Sequence, residues 1–356
     1  MRRKSFLYGI GGITLMLAFI ISPFVTAWPI SASAQPIELS LNHLFPEVSW
    51  FHQKAVVPWK NMVEQKSNGK LKINIYPSGA LAKSGTMYDA VKAGVVDMAI
   101  DPGPYYIGRF PMSEATQLPF LGAQSSWAAS RAWMDLYYAF PELRKEYADV
   151  HLLWLFSQGP VQIITRKPVR KMEDMKGLIV RAPGGMGDYI KALGGSPVSI
   201  NAPESYLALS KGTIDATVFP GEAIPTWKLH EVTKYVSMSH MAVQWFWVAM
   251  NQDKYKSLPK DLQKVIDDCS GTVGADIIGK AWNDADRAGF ELAKQKGIEL
   301  IDLSPQERKR WEKQVAPVTE KWIKTMEAKG YPAKKFVDEA RKSIDKYNKQ
   351  LAEKRG

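Results

Sequence analysis

Short apolar runs separated by glycine and proline organise residues 172–219, and their spacing predicts alternating strands and helices. Leu178-Ile179-Val180, between Gly177 and Pro183-Gly184-Gly185, reads as a buried strand that ends at Arg181. Met186 to Leu193 follows with helical spacing and stops at Gly194-Gly195, where a left-handed cap costs glycine little. Pro197 to Ile200 is the next strand. Asn201, Pro203 and Glu204 make a capping-box arrangement for a further helix that closes at Gly212. Ile214 to Phe219 supplies a third strand, which delivers Phe219 and Pro220 to the same sheet edge as Arg181.

The pattern occurs once before. Tyr88, Ala90, Gly94, Val96 and Asp97 match Tyr206, Ala208, Gly212, Ile214 and Asp215 at identical spacing. Two copies of a helix-Gly-strand unit predict two similar α/β lobes facing across a cleft. An arginine at the carboxyl end of a strand in such a fold lies where ligands bind, and its planar fork of donors matches a carboxylate. The alternative reading of Arg181 is a surface residue or a structural ion pair. Further on, Trp245-Phe246-Trp247 lie on an alternating strand, with the two tryptophans on one face and Phe246 on the other. Ser257 to Lys260 opens a long helical segment running towards Gly297. Ser304-Pro305-Gln306-Glu307 is a second capping box, and the Lys- and Glu-rich helices behind it are expected to cover the second lobe.

At the N-terminus, Arg2-Arg3-Lys4 precede an uncharged run from Phe6 to Val25, followed by Ala32-Ser33-Ala34. This is the charge, apolar core and small-residue cleavage site of a secretory signal, with cleavage expected after Ala34. An uncleaved membrane anchor is the rival, and Val25-Thr26-Ala27 is a second possible site. Removing 34 of 356 residues leaves 322, a length suited to two domains. Taking three basic residues from a net charge of +11 leaves +8. The lysines are spread along helices, so a solvated face accounts for them and nucleic acid is not an implied partner. The sole cysteine, Cys269, sits at helical spacing with Val265, Ile266 and Val273, as a buried thiol would.

With these residues in place the chain resembles a known family. The leader, the stretch LSLNHLFPEVSWFHQKAVVPWKNMVEQKSNGKLKINIYPSGAL, then DAVKAGVVDMAI, LPFL, MEDMKGLIVRAP, LSKGTIDA and LHEVTKY resemble the DctP-type solute-binding proteins of TRAP (tripartite ATP-independent periplasmic) transporters. Its most specific part is Lys176-Gly177 with Arg181, followed by Gly212 and Asp215. The resemblance implies a two-lobed α/β fold of two mixed sheets flanked by helices, with a long helix spanning both lobes and the ligand cleft between them. The implied divisions are a signal peptide at 1–34, lobe I at 35–158 plus 246–285, and lobe II at 159–245 plus 286–356. It also implies a periplasmic protein that holds an organic acid through a salt bridge to Arg181 and delivers it to a membrane permease.

Three positions depart from the family's commonest pattern: Val161 stands where many members have a second arginine, Ala216 replaces a glycine, and Val218 replaces the carboxylate of members that hold a metal. A single arginine suits a monocarboxylate, aromatic or 2-oxo, with no metal and no cofactor. Candidate ligand contacts besides Arg181 are Phe219, Tyr105, Trp245, Gln158, Glu222 and His43, of which Gln158 and Glu222 are placed to fix the ligand's far end. Two other readings share the residues, a ligand-sensing periplasmic protein that docks on a receptor and a secreted enzyme acting on a carboxylate. Against the enzyme, no G-x-S-x-G, H-E-x-x-H or Walker loop occurs, and three scattered S-x-x-K matches lack partner motifs.

Overall fold

The computed structural model describes residues 35–353, so the expected leader and its cleavage site lie outside the described residues. Eleven strands are described: β1 Ile37–His43, β2 Leu71–Tyr76, β3 Met98–Pro102, β4 His151–Ser157, β5 Gln162–Thr165, β6 Ile179–Arg181, β7 Ser196–Val198, β8 Ala216–Phe219, β9 Tyr235–Met238, β10 Trp245–Met250 and β11 Glu299–Asp302. They form two mixed sheets, in the orders β2-β1-β3-β10-β4 and β11-β9-β5-β8-β6-β7.

Each sheet contains one strand that arrives from the other. β5 follows β4 through residues 158–161 and enters the second sheet antiparallel to β8. β10 returns through 239–244 and enters the first sheet antiparallel to β3 and β4. A strand that starts at the boundary between sheets must run away from it. Its neighbours β3 and β8 therefore end at that boundary, as do their parallel partners β1 and β6. The carboxyl ends of β1, β3, β6 and β8 and the amino end of β10 thus meet along one cleft, where open α/β sheets place their ligands.

The repeated motif has a physical basis in this arrangement. Gly94 and Gly212 both turn the chain with left-handed backbone (φ +72° and +70°), which glycine adopts without a Cβ penalty. Three residues later an aspartate ties the incoming strand to its parallel neighbour. The Asp97 carboxylate accepts from the Ser40 N–H and hydroxyl at 2.8 and 2.9 Å, and that of Asp215 accepts from the Ile179 N–H at 2.9 Å.

Strand alternation assigns the faces of the second sheet. Val161, Ile163, Val180 and Val218 point to a core closed by Met186, Tyr189 and Trp311. Ile164 and Phe219 point the other way, into the large core that continues through Phe45, Phe246 and Trp282 beneath the first sheet. Arg181 pairs with Thr217, two residues before Phe219, so Arg181 and Phe219 share that second face.

Helix boundaries correct four expectations. The segment after Ser257 is not one helix: Lys260–Asp268 stops at buried Cys269, the chain turns at Gly271, and Gly271–Gln295 then runs for 25 residues. This longer helix packs on the helix Ser126–Ala139 and on β4 in the first layer and on Ala223–Thr226 in the second. The C-terminal helices also divide. Pro305–Glu327 packs on Met186–Ala192 of the second sheet, whereas Ala333–Glu353 packs on Ser126–Ala139 of the first, because its apolar stripe of Phe336, Val337, Ala340 and Ile344 meets Phe140 and its neighbours there. Asn201 starts a short 3₁₀ turn, Ala202–Glu204, with no side-chain cap, and the α-helix begins at Ser205. Ser304 does cap its helix through the Glu307 N–H at 3.1 Å, but the Glu307 carboxylate binds Met172 N–H and Trp311 Nε1 instead of closing the box.

The long helix touches the second sheet's loops closely. A Cβ built on Gly289 would lie 1.9 Å from the Gly221 carbonyl oxygen, and backbone faces backbone with no flexible side chain to give way. Gly289→Ala is therefore expected to destabilise the protein by about 1–3 kcal/mol through overpacking, read by denaturant unfolding. An unchanged midpoint would show that the two segments separate freely.

Candidate functional site

Arg181 is the last residue of β6 and is 1 % exposed. Its Nε donates to the Ile200 carbonyl at 3.1 Å, one terminal nitrogen to the Val218 carbonyl at 3.4 Å, and the other to the Tyr105 hydroxyl at 2.8 Å. Its Cζ lies 4.2 Å from the centre of the Phe219 ring. None of these partners is an acid, and Glu204 acts on it only at longer range. Burial pulls its pKa down, against the pull of the Tyr105 hydroxyl. A guanidinium stays charged in proteins and carries five N–H donors. Three are used here, which leaves one on each terminal nitrogen. A buried cation without a counter-ion is costly, and this one keeps two donors that no protein group takes.

Tyr105 reaches Arg181 from the opposite side of the cleft, at the end of a short turn (Gly103–Tyr105) after β3. Its hydroxyl also accepts from the Ala202 N–H at 2.9 Å. Gln117 makes a second bridge, donating to the Pro183 carbonyl at 3.2 Å and accepting from the Gly185 N–H at 3.1 Å. Tyr105 and Gln117, both on turns that follow β3, thus hold Arg181 and the loop after it at two points.

Next to Tyr105 and Phe219 lies a narrow slot whose free interior is only about 10 Å³, about the room of one water molecule. Its apolar walls are Phe45, Phe219, Trp227, Phe246 and Trp282, with Phe45 at the centre: its ring lies 6.0 Å from Trp227, 6.2 Å from Phe246 and 5.9 Å from Trp282. Four polar side chains also face it, Tyr105, Gln158, Gln244 and Glu222. No lysine or arginine lines the slot, and Val161 is fully buried in the second sheet's core. Arg181 meets the slot through Tyr105 and Phe219, which contact it and form the adjoining wall.

Of the candidate contacts, Phe219, Tyr105, Gln158 and Glu222 come together around this slot, beside Arg181. Trp245 does not. It occupies the other face of β10, its indole N–H donating to the Tyr147 hydroxyl at 3.2 Å and its ring packed against Gly103, so the slot receives its neighbour Phe246. His43 does not reach the slot either: its Nε2 is 3.0 Å from His52 Nδ1 inside a nest of Phe45 and Phe51, and burial lowers its pKa to about 3. Leu44 and Phe45, one and two residues on, face the slot instead. Gln244, Phe45, Trp227 and Trp282 were not singled out from the sequence. Only Phe45, beside His43 in LNHLF, and Phe246, opposite the two tryptophans, carried a local signal.

Glu222 is 2 % exposed, and burial pushes its pKa up to about 7, against the hydrogen bond it accepts from Thr226. Between its ordinary value of 4.5 and about 7 the native protein holds a proton that the unfolded chain releases. Stability from this group is therefore complete below about pH 4.5 and is lost as pH rises through 7. Glu222→Gln should flatten the fall in melting temperature between pH 5 and 8. Parallel pH profiles for the two proteins would rule out this assignment.

Residues 41–325 match the DctP family, bacterial extracellular solute-binding proteins of family 7. The chain belongs to this family, the solute-binding proteins of TRAP transporters, which is not a family of enzymes. A TRAP solute-binding protein from Rhodoferax ferrireducens, solved with copurified benzoate, is 30 % identical, with 88 % of this chain and 99 % of that one covered and a TM-score of 0.84. A marine metagenome TRAP solute-binding protein specific for aromatic acid ligands is 31 % identical, covering 87 % and 99 %, with a TM-score of 0.83. A solute-binding protein of Albidiferax ferrireducens is 28 % identical over 88 % of this chain and 91 % of its own length. No described helix is long and apolar enough to cross a membrane.

Proposed function

We propose that this protein is exported to the periplasm, where it captures an aromatic monocarboxylate, or a 2-oxo acid of similar size, and passes it to the membrane subunits of a TRAP transporter. The observation that carries the reading is Arg181, a buried guanidinium with no acidic partner and two donors to spare at the edge of an aromatic slot. Parting of the two sheets would withdraw Tyr105 and uncover the donor fork. Closure around a ligand would then bury its carboxylate on Arg181 and its apolar body among Phe45, Phe219 and Phe246. The benzoate complex and the aromatic-acid specificity of the two similar structures support this choice of ligand class.

A thermal-shift and calorimetric panel of aromatic acids, 2-oxo acids, C4-dicarboxylates, sugars and amines tests the proposal. An aromatic or 2-oxo monocarboxylate is expected to bind tightest, and at about a hundred times its Kd it should stabilise the protein by roughly 2.7 kcal/mol. Succinate or malate outcompeting every monocarboxylate would overturn it.

A further inference from the structure

The slot is not uniformly apolar. Gln158 and Gln244 are each 4 % exposed and both line it. Their backbones pair across the two crossovers, Gln158 N–H to the Gln244 carbonyl at 3.0 Å, while neither side-chain amide has a hydrogen-bond partner within the protein. Neither amide is fully sealed from solvent, so a ligand group in the slot can take the place of water on each. Two such amides beside one slot offer donors and acceptors that no protein group takes. Glu222 lines the same slot from the loop after β8, with one carboxyl oxygen engaged by Thr226 and the other left over.

We propose that Gln158, Gln244 and Glu222 form a subsite that reads a hydroxyl group at the end of the ligand remote from its carboxylate, so that hydroxylated aromatic monocarboxylates are preferred over unsubstituted ones and aromatic dicarboxylates are refused. The inference rests on the assignment of the ligand carboxylate to Arg181. A hydroxyl suits this subsite because it both donates and accepts, as each amide does. A carboxylate does not suit it: no cation lines the slot, Glu222 itself is held towards its neutral form by burial, and Asp286 approaches within 2.9 Å of the Glu222 N–H. A second negative charge there would be buried beside Glu222 with no cation to answer it. An unsubstituted ring would leave both amides unanswered, the situation in which hydrogen-bonding pockets discriminate most strongly.

The test is calorimetric titration of the protein and of Gln158→Leu, Gln244→Leu and Gln158→Met with benzoate, 3-hydroxybenzoate, 4-hydroxybenzoate, isophthalate and terephthalate. At least one hydroxybenzoate is expected to bind about tenfold or more tighter than benzoate, the worth of a net hydrogen bond, and both dicarboxylates more weakly than benzoate. Each glutamine variant should shrink the hydroxybenzoate-to-benzoate ratio, with unchanged melting temperature as the folding control. Gln158→Met covers the case in which leucine packs poorly. Equal affinity for benzoate and both hydroxybenzoates, or a preference that survives all the glutamine variants, overturns the subsite and leaves the Arg181 assignment standing. Failure of all these acids to bind, with a different ligand class bound instead, overturns both.

Discussion

Replacing Arg181 with alanine should weaken binding of the cognate acid by roughly thirtyfold to several thousandfold, because a desolvated carboxylate left without its partner costs about 2–5 kcal/mol. Arg181→Lys should recover only part of this. An ammonium keeps the charge but loses the fork, and it cannot at once serve the Ile200 carbonyl, the Val218 carbonyl, the Tyr105 hydroxyl and a ligand as the guanidinium is placed to do. Folding should be far less affected than binding. β6 is held by Val180 in the second sheet's core and by pairing with β7 and β8, and the substitution removes a buried charge as well as its hydrogen bonds. Titration calorimetry and a melting curve, run together, separate the two effects. Unchanged affinity with a lowered melting temperature would make Arg181 a structural residue and move the site elsewhere.

Trp282→Ala should cost about 3–5 kcal/mol of stability, the range for deleting a large buried aromatic, and should weaken ligand binding as well. Trp282 is 1 % exposed on the long helix, and its ring lies 5.3 Å from Phe51, 5.5 Å from Phe246, 5.9 Å from Phe45 and 6.0 Å from Phe156. It is at once a wall of the slot and the point at which the large core joins the helix. Trp282→Phe should be much milder. The indole N–H has no hydrogen-bond partner, so the phenyl ring forfeits volume but no bond. Urea unfolding of both variants checks this. A loss under about 1 kcal/mol for Trp282→Ala would mean that the aromatic cluster closes over the gap or admits water without penalty.

The contrast between Trp245 and Phe246 shows how far local pattern reaches. Alternation correctly separated Trp245 and Trp247 from Phe246, but a period of two says only that the faces differ. Which face meets the cleft depends on Tyr147, Gly103 and the entry of β10 between β3 and β4, none of which is near Trp245 in sequence. His43 is a similar case: LNHLF reads as a first-strand loop, whereas His43 is the last residue of β1 and is captured by His52. The long helix was anticipated as one segment because the apolar spacing of Leu262, Val265 and Ile266 continues into Cys269. The turn at Gly271 interrupts the backbone and leaves the apolar stripe in place.

The sequence by itself determined the elements around Arg181, the repeated Gly-to-Asp unit and the strand end on which the arginine stands. These depend on contiguous residues: glycine where the backbone turns left-handed, an aspartate that caps the neighbouring strand, apolar runs of strand length. The tertiary structure alone decided the slot. Its walls come from residues as far apart as Phe45 and Trp282, brought together where two crossovers and one long helix join the sheets. Its chemistry follows from burial, which leaves Arg181, Gln158, Gln244 and Glu222 little exposed and one cation and two amides for a ligand to answer.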